Sequence, residues 1–123
     1  MTRTRPVLVI DDDPDLCTLL RKTLEHERWE VVTAVDGMDA IRQYELNRPC
    51  MLIVDLMMPN LDGEEFLRVL GTPRPPVLLL TASERREEVA DRFGIELHLA
   101  KPFELEEVRR IVRNNAGDHQ RDE

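Results

Sequence analysis

Short, nearly unbroken apolar runs recur along this chain, and they limit its possible folds more than any other feature. Val7-Leu8-Val9-Ile10, Val31-Val32-Thr33-Ala34, Met51-Leu52-Ile53-Val54, Val77-Leu78-Leu79-Leu80 and Leu97-His98-Leu99-Ala100 are each too short for a helix. Aliphatic runs without polar alternation suit strands covered on both faces. The intervening segments carry apolar residues at helical spacing. Leu16, Leu20 and Leu24 follow the first run, Ala40, Ile41 and Tyr44 the second, and Phe66, Leu67 and Leu70 the third. Val89, Ala90 and Phe93 follow the fourth, and Leu105, Val108 and Val112 the last.

Local signals predict where these helices begin and end. Asp13-Pro14 reads as an N-cap followed by Pro at the first helical position. Asp36-Gly37 turns the chain into the second helix, and Asp62-Gly63-Glu64-Glu65 has the form of a capping box. Gly71 and Gly94 stand where helices should stop. Strands alternating with helices imply a parallel sheet with helices on both faces, since right-handed crossovers place them there. The expected class is therefore α/β, doubly wound, over residues 1–114. From about Asn114 the sequence turns polar, and residues 115–123 are expected to form a tail or the start of a linker.

Length and charge narrow the functions. At 123 residues the chain is expected to be a single domain, which argues against a multidomain enzyme. A net charge of −8 disfavours attraction to a phosphate backbone, so no direct nucleic-acid partner is expected. No apolar stretch approaches the ~20 residues of a membrane helix, and residues 1–6 lack the apolar run of a secretory signal. These features predict no membrane insertion and a cytoplasmic location. Cys17 and Cys50 have neither CxxC nor Cys/His spacing, so they are expected to be small core residues rather than disulfide or zinc ligands.

In open parallel sheets the functional crevice lies beyond the carboxyl ends of the strands. At those ends stand Asp11 and Asp12, Asp55, Thr81 with Ala82 and Ser83, and Lys101-Pro102. Three converging carboxylates repel one another unless a cation neutralises them. Oxygen ligands without His or Cys favour Mg²⁺ or a close substitute such as Mn²⁺. A metal, an ammonium and a hydroxyl are what a transferring phosphoryl group requires around its oxygens, and Lys101 and Thr81 supply the last two. Asp55 is then the candidate acceptor, since a carboxylate can be phosphorylated to an acyl phosphate. Lys101 is notable because the chain has 15 Arg but only two Lys. A compact ammonium and a planar guanidinium are not interchangeable. Each residue also has a plainer reading: the aspartate run as a solvated turn, Asp13 as a cap, and Lys101 as an offset to surrounding acids.

Val7-Leu8-Val9-Ile10-Asp11-Asp12-Asp13-Pro14, Val54-Asp55-Leu56-Met57-Met58-Pro59, Asp62-Gly63, Thr81-Ala82-Ser83 and Lys101-Pro102-Phe103 together resemble the receiver domain of bacterial two-component response regulators. The likeness covers about residues 5–113. It implies a flavodoxin-like five-stranded sheet of order 2-1-3-4-5. It further implies that Asp55 accepts a phosphoryl group from a histidine kinase or histidine phosphotransfer protein. Asp12 and Asp55 would ligate Mg²⁺ with the Met57 carbonyl, and Asp11 would assist through water. Thr81 and Lys101 would contact the phosphoryl oxygens, and Lys101-Pro102 would be a cis peptide. Phosphorylation would remodel a face of helix four, strand five and helix five. Thr81 and the fifth-strand position held by His98 would be the moving parts.

Two departures from the family pattern stand out. His98 occupies a position where Tyr or Phe is more usual, and its plainer role is an edge residue half in water. Twenty positions separate Thr81 from Lys101, a shorter interval than is usual in that family, so helix four is expected to be short or irregular. Met57 and Ser83 flank the expected path of an attacking water, and a bulky Met57 is expected to lengthen the phosphoryl lifetime. The leading expectation is a phosphorylation-controlled switch with a downstream protein partner or a second copy of the chain. The competing ones are an Mg²⁺-dependent aspartyl phosphatase or phosphotransferase, which would need a lid, and a receiver-like docking module that is not phosphorylated.

Overall fold

The structure, a computed structural model, describes residues 3–116 together with Arg121 and Asp122. Its five central strands are β1 (Val7–Ile10), β2 (Val31–Ala34), β3 (Met51–Val54), β4 (Val77–Thr81) and β5 (Leu97–Ala100). The helices are α1 (Pro14–His26), α2 (Gly37–Asn47), α3 (Gly63–Leu70), α4 (Arg86–Phe93) and α5 (Leu105–Ala116). All neighbouring strands pair in parallel, in the order β2-β1-β3-β4-β5. This is the doubly wound architecture that the alternating pattern predicts. Outside the sheet, Arg3–Thr4 and Arg121–Asp122 pair antiparallel. The tail expected over 115–123 falls partly on residues 117–120 and 123, which lie outside the described residues.

Strand parity divides the core into two layers. Val7, Val9, Met51, Ile53, Leu78 and Leu80 pack with Cys17, Leu20 and Leu24 of α1 and Val108 and Val112 of α5. Leu8, Ile10, Leu52, Val54, Val77 and Leu79 face the other way, against Ala40 of α2, Phe66 and Leu67 of α3, and Val89 and Ala90 of α4. The three inner strands are buried at every position, whereas β2 and β5 are only half-buried because each has an open outer edge. Burying one such aliphatic side chain contributes about 1.5–3 kcal/mol, which is why the sheet interior excludes polar groups.

The helix signals act as expected. Asp13 Oδ1 accepts the Asp15 and Leu16 N–H groups, and Asp62 and Glu65 form a reciprocal capping box on α3. α4 has eight residues and no side-chain cap, in keeping with the shortened interval before Lys101. The Lys101–Pro102 peptide is cis, as the resemblance implies, and Thr72–Pro73 is a second cis bond. Among the described residues no helix is long and apolar enough to cross a membrane.

Candidate functional site at the carboxyl edge of the sheet

Register brings the distant site residues together. Ile10 pairs with Val54, so Asp11 and Asp55 emerge side by side from neighbouring strands, and the Asp55 N–H bonds the Ile10 carbonyl at 2.9 Å. Thr81 pairs with Ala100, and the Lys101 N–H bonds the Thr81 carbonyl at 3.1 Å. Asp11, Asp55 and Lys101 each continue the parity of the α1/α5 layer, which aims them into one space. Thr81 has the opposite parity and closes the site from the α4 side.

Lys101 Nζ donates to Asp11 Oδ2 at 2.7 Å and to Asp55 Oδ2 at 3.2 Å. The acids themselves are enclosed, with Asp11 3% exposed and Asp55 4%. Burial lifts the Asp11 carboxyl above its ordinary value, against the opposing pull of the Lys101 hydrogen bond. Burial draws the Lys101 ammonium down, but the Asp11 hydrogen bond and the charges of Asp11 and Asp55 outweigh it and hold it above its ordinary value. The second oxygens are also engaged. Asp11 Oδ1 accepts the Asp13 N–H at 3.0 Å, and Asp55 Oδ1 accepts the Met57 N–H at 3.1 Å.

Asp12 is exposed at the mouth of the site, and one oxygen each from Asp11, Asp12 and Asp55 lie within 4.8 Å of one another. This donor set is entirely oxygen, carries three formal negative charges against the one cation of Lys101, and opens to solvent at Asp12. It fits a hard divalent ion such as Mg²⁺ and is a poor match for zinc. Thr81 is fully buried, and its Oγ1 accepts the Ser83 N–H at 3.2 Å. The Met57 side chain is 57% exposed and lines a cleft of about 580 Å³ with Asp12, Met58, Glu64, Ser83 and Arg85.

Some features had no signal in the sequence. Gly63 opens α3 against the end of β3, and a Cβ there would stand 2.2 Å from the Asp55 carbonyl oxygen. His98 is half-buried, and its Nδ1 accepts a 3.0 Å bond from Arg86 Nε, so a cation from α4 holds the expected switch position. Glu64 bonds arginines from both α3 and α4. The i, i+4 spacing of Glu64 and Arg68 is readable, but the long-range partners are not. Cys17 and Cys50 are buried and free; the Cys17 thiol donates to the Asp11 carbonyl at 3.2 Å.

A parallel five-stranded sheet of this order, with an acidic cluster and a lysine converging at its carboxyl edge, defines the receiver class of signalling module. The chain belongs to the response regulator receiver domain family, whose model matches residues 7–113. Members of this family typically use Mg²⁺. Among curated relatives it is 36% identical over 115 residues to the alkaline phosphatase synthesis transcriptional regulatory protein PhoP of Bacillus subtilis, covering 89% of this chain and 47% of PhoP. It is 38% identical over 109 residues to the transcriptional regulatory protein TrcR of Mycobacterium tuberculosis, covering 83% of this chain and 41% of TrcR. The chain thus spans about half the length of these relatives. Among solved structures, a putative response regulator from Chloroflexus aurantiacus superposes with a TM-score of 0.81 at 31% identity, covering 94% of this chain and 99% of that one. The chemotaxis protein CheY4 of Vibrio cholerae superposes with a TM-score of 0.79 at 27% identity, covering 91% and 98%.

Proposed function

We propose that this domain is a phosphorylation-controlled switch in which Asp55 is the acceptor. An Asp55 carboxylate oxygen forms the new bond to phosphorus while the bond to the donor breaks, and that bond's electron pair leaves with the donor. The donor is a phosphohistidine on a histidine kinase or phosphotransfer protein. A small acyl phosphate replaces it in the test tube. Asp12, Asp55 and the Met57 carbonyl hold Mg²⁺, with Asp11 assisting. The ion supplies charge neutralisation for the phosphoryl oxygens. Lys101 neutralises a further oxygen, and the Thr81 hydroxyl donates to another by turning toward it. Coupling of about 1–3 kcal/mol from the site to the face of α4, β5 and α5 then changes affinity for a downstream protein or a second copy. The cytoplasm, where such donors are made, is the compartment this chemistry requires.

The observation that carries this reading is the Lys101 ammonium bridging Asp11 and Asp55 at 2.7 and 3.2 Å. It joins a cation to two buried carboxylates across 90 and 46 positions of sequence, at the edge where α/β sheets bind ligands. Intact mass spectrometry after incubation with acetyl phosphate and Mg²⁺ tests it. Wild type should gain one phosphoryl group, and Asp55→Asn should gain none. No gain by wild type, or an equal gain by the variant, contradicts the assignment. Sustained turnover of a free phosphate ester would favour an enzyme instead.

A further inference from the structure

Glu64, in the first turn of α3, binds guanidinium groups from two elements. Arg85 Nη1, just before α4, stands 3.0 Å from Glu64 Oε1, and Arg92 of α4 reaches Oε2. Arg68, one turn along α3, shares Oε2 at 2.9 Å. Glu88 closes the network by accepting from Arg85 Nε at 3.3 Å and from Arg92 Nη2 at 2.6 Å. The Glu64 side chain is only 12% exposed, against 55% for Arg85, so the carboxylate is the enclosed centre and the arginines are its rim. The hydrogen bond from Arg85, and its charge, hold the Glu88 carboxyl below its ordinary value.

The backbone of Arg85 connects this network to the candidate site. Its N–H donates to Ser83 Oγ at 3.1 Å, and the Ser83 N–H donates to Thr81 Oγ1 at 3.2 Å. An unbroken sequence of hydrogen bonds and one ion pair therefore runs from the buried Thr81 hydroxyl to the start of α3. An isolated surface ion pair contributes little. A carboxylate shared among three guanidinium groups, two of them cross-linked by a second carboxylate, restrains the segment more than one pair would.

We propose that Glu64 is a positioning residue: acting through Arg85 and Ser83, it latches the β4–α4 segment and keeps the Thr81 hydroxyl engaged with Ser83. This rests on Asp55 being the phosphoryl acceptor. To turn its O–H toward a phosphoryl group on Asp55, Thr81 must swing away from the orientation in which its oxygen accepts the Ser83 N–H, so the network sets how readily the domain switches. Because the arginine rim meets water, salt weakens the latch.

Hydrogen exchange of the unphosphorylated protein tests the latch without any phosphoryl chemistry. Glu64→Gln, which keeps the shape of the side chain, and Arg85→Ala should each speed amide exchange across residues 82–93 by about threefold to tenfold. The double variant should fall short of the sum of the two single effects, since the Arg85–Glu64 link is common to both while each substitution also loses contacts of its own. Added salt should speed exchange more in wild type than in either variant, each of which keeps only part of the network. At fixed acetyl phosphate and Mg²⁺, the phosphorylated fraction should rise in both single variants. Unchanged exchange, or additive effects in the double variant, overturns the proposal. So does a phosphorylated fraction that rises for Glu64→Gln but falls for Arg85→Ala, because the charge of Arg85 would then be acting on the anionic donor. If wild type gains no phosphoryl group, the acceptor assignment fails, while the exchange and salt measurements still decide the latch.

Discussion

Gly63 gives the sharpest test of how the fold positions Asp55. An added Cβ would stand 2.2 Å from the Asp55 carbonyl oxygen, whereas ordinary contact begins near 3.4 Å. Gly63→Ala must therefore part the start of α3 from the end of β3 by about 1 Å, and both surfaces are backbone. Overpacking of this kind costs about 2–3 kcal/mol. For a domain of this size that corresponds to a fall in Tm of about 6–15 °C. The same displacement acts on the residue proposed to be phosphorylated, and a misplacement of about 1 Å at a reacting group can slow a reaction by about 10²-fold. Gly94→Ala is the control. Gly94 has φ 66° and ψ 32°, left-handed helical backbone, with nothing within 4 Å of an added Cβ, so it should lose only about 1–2 kcal/mol from backbone strain. Its phosphorylation should be unaffected. Thermal unfolding and the rate of phosphoryl uptake from acetyl phosphate measure both effects. A Gly63→Ala protein with wild-type Tm and rate would refute the reasoning, as would equal losses in the two variants.

Three further outcomes are expected. Met57→Ala should shorten the lifetime of the phosphoryl group severalfold, followed as the decay of the phosphorylated mass after donor removal, because the exposed Met57 lines the same cleft as Asp12 and Ser83, from which water would approach. Asp11→Asn should raise the Tm of the metal-free protein while abolishing the Tm increase given by Mg²⁺. Burial holds the Asp11 carboxyl above its ordinary value, so its charge opposes folding at neutral pH. Stability should also fall on the alkaline side. Burial pushes the Cys17 and Cys50 thiols from 9.0 up to about 11, so the unfolded chain binds fewer protons than the folded one between those values. The loss approaches about 2–3 kcal/mol per thiol by the upper end, and Cys50→Ala should flatten it in urea titrations at rising pH. Lys101, held above its ordinary 10.5, contributes stability that is fully present below that pH and is lost as pH rises from there through its raised value.

The sheet was legible because burial on both faces demands unbroken apolar runs, and Val7–Ile10 and Met51–Val54 satisfy that demand with no polar residue. The candidate site was legible because those same runs stop abruptly at Asp11 and Asp55, and because a lysine is rare in this chain. Parallel pairing in register then brings Asp11, Asp55 and Lys101 together without any local motif joining them. What stayed hidden depends on side-chain direction across elements. Nothing in the spacing of Arg86 and His98 shows that a helix-four guanidinium reaches the fifth-strand imidazole. Likewise Arg85 and Arg92 read as solvated charges until α3 and α4 are placed side by side on Glu64. The close approach of Gly63 to Asp55 was masked by its place in a capping box, which explains a glycine-tolerant helix start without requiring one.

Where the phosphoryl group sits can be read chemically. Treating the phosphorylated protein with borohydride reduces an acyl phosphate to an alcohol, and peptide mass spectrometry then locates the converted side chain. Conversion of Asp55 to homoserine, dependent on both donor and Mg²⁺, is the expected result. A phosphoryl group that resists borohydride and maps to Thr81 or Ser83, or conversion at Asp11 or Asp12 in place of Asp55, would contradict it.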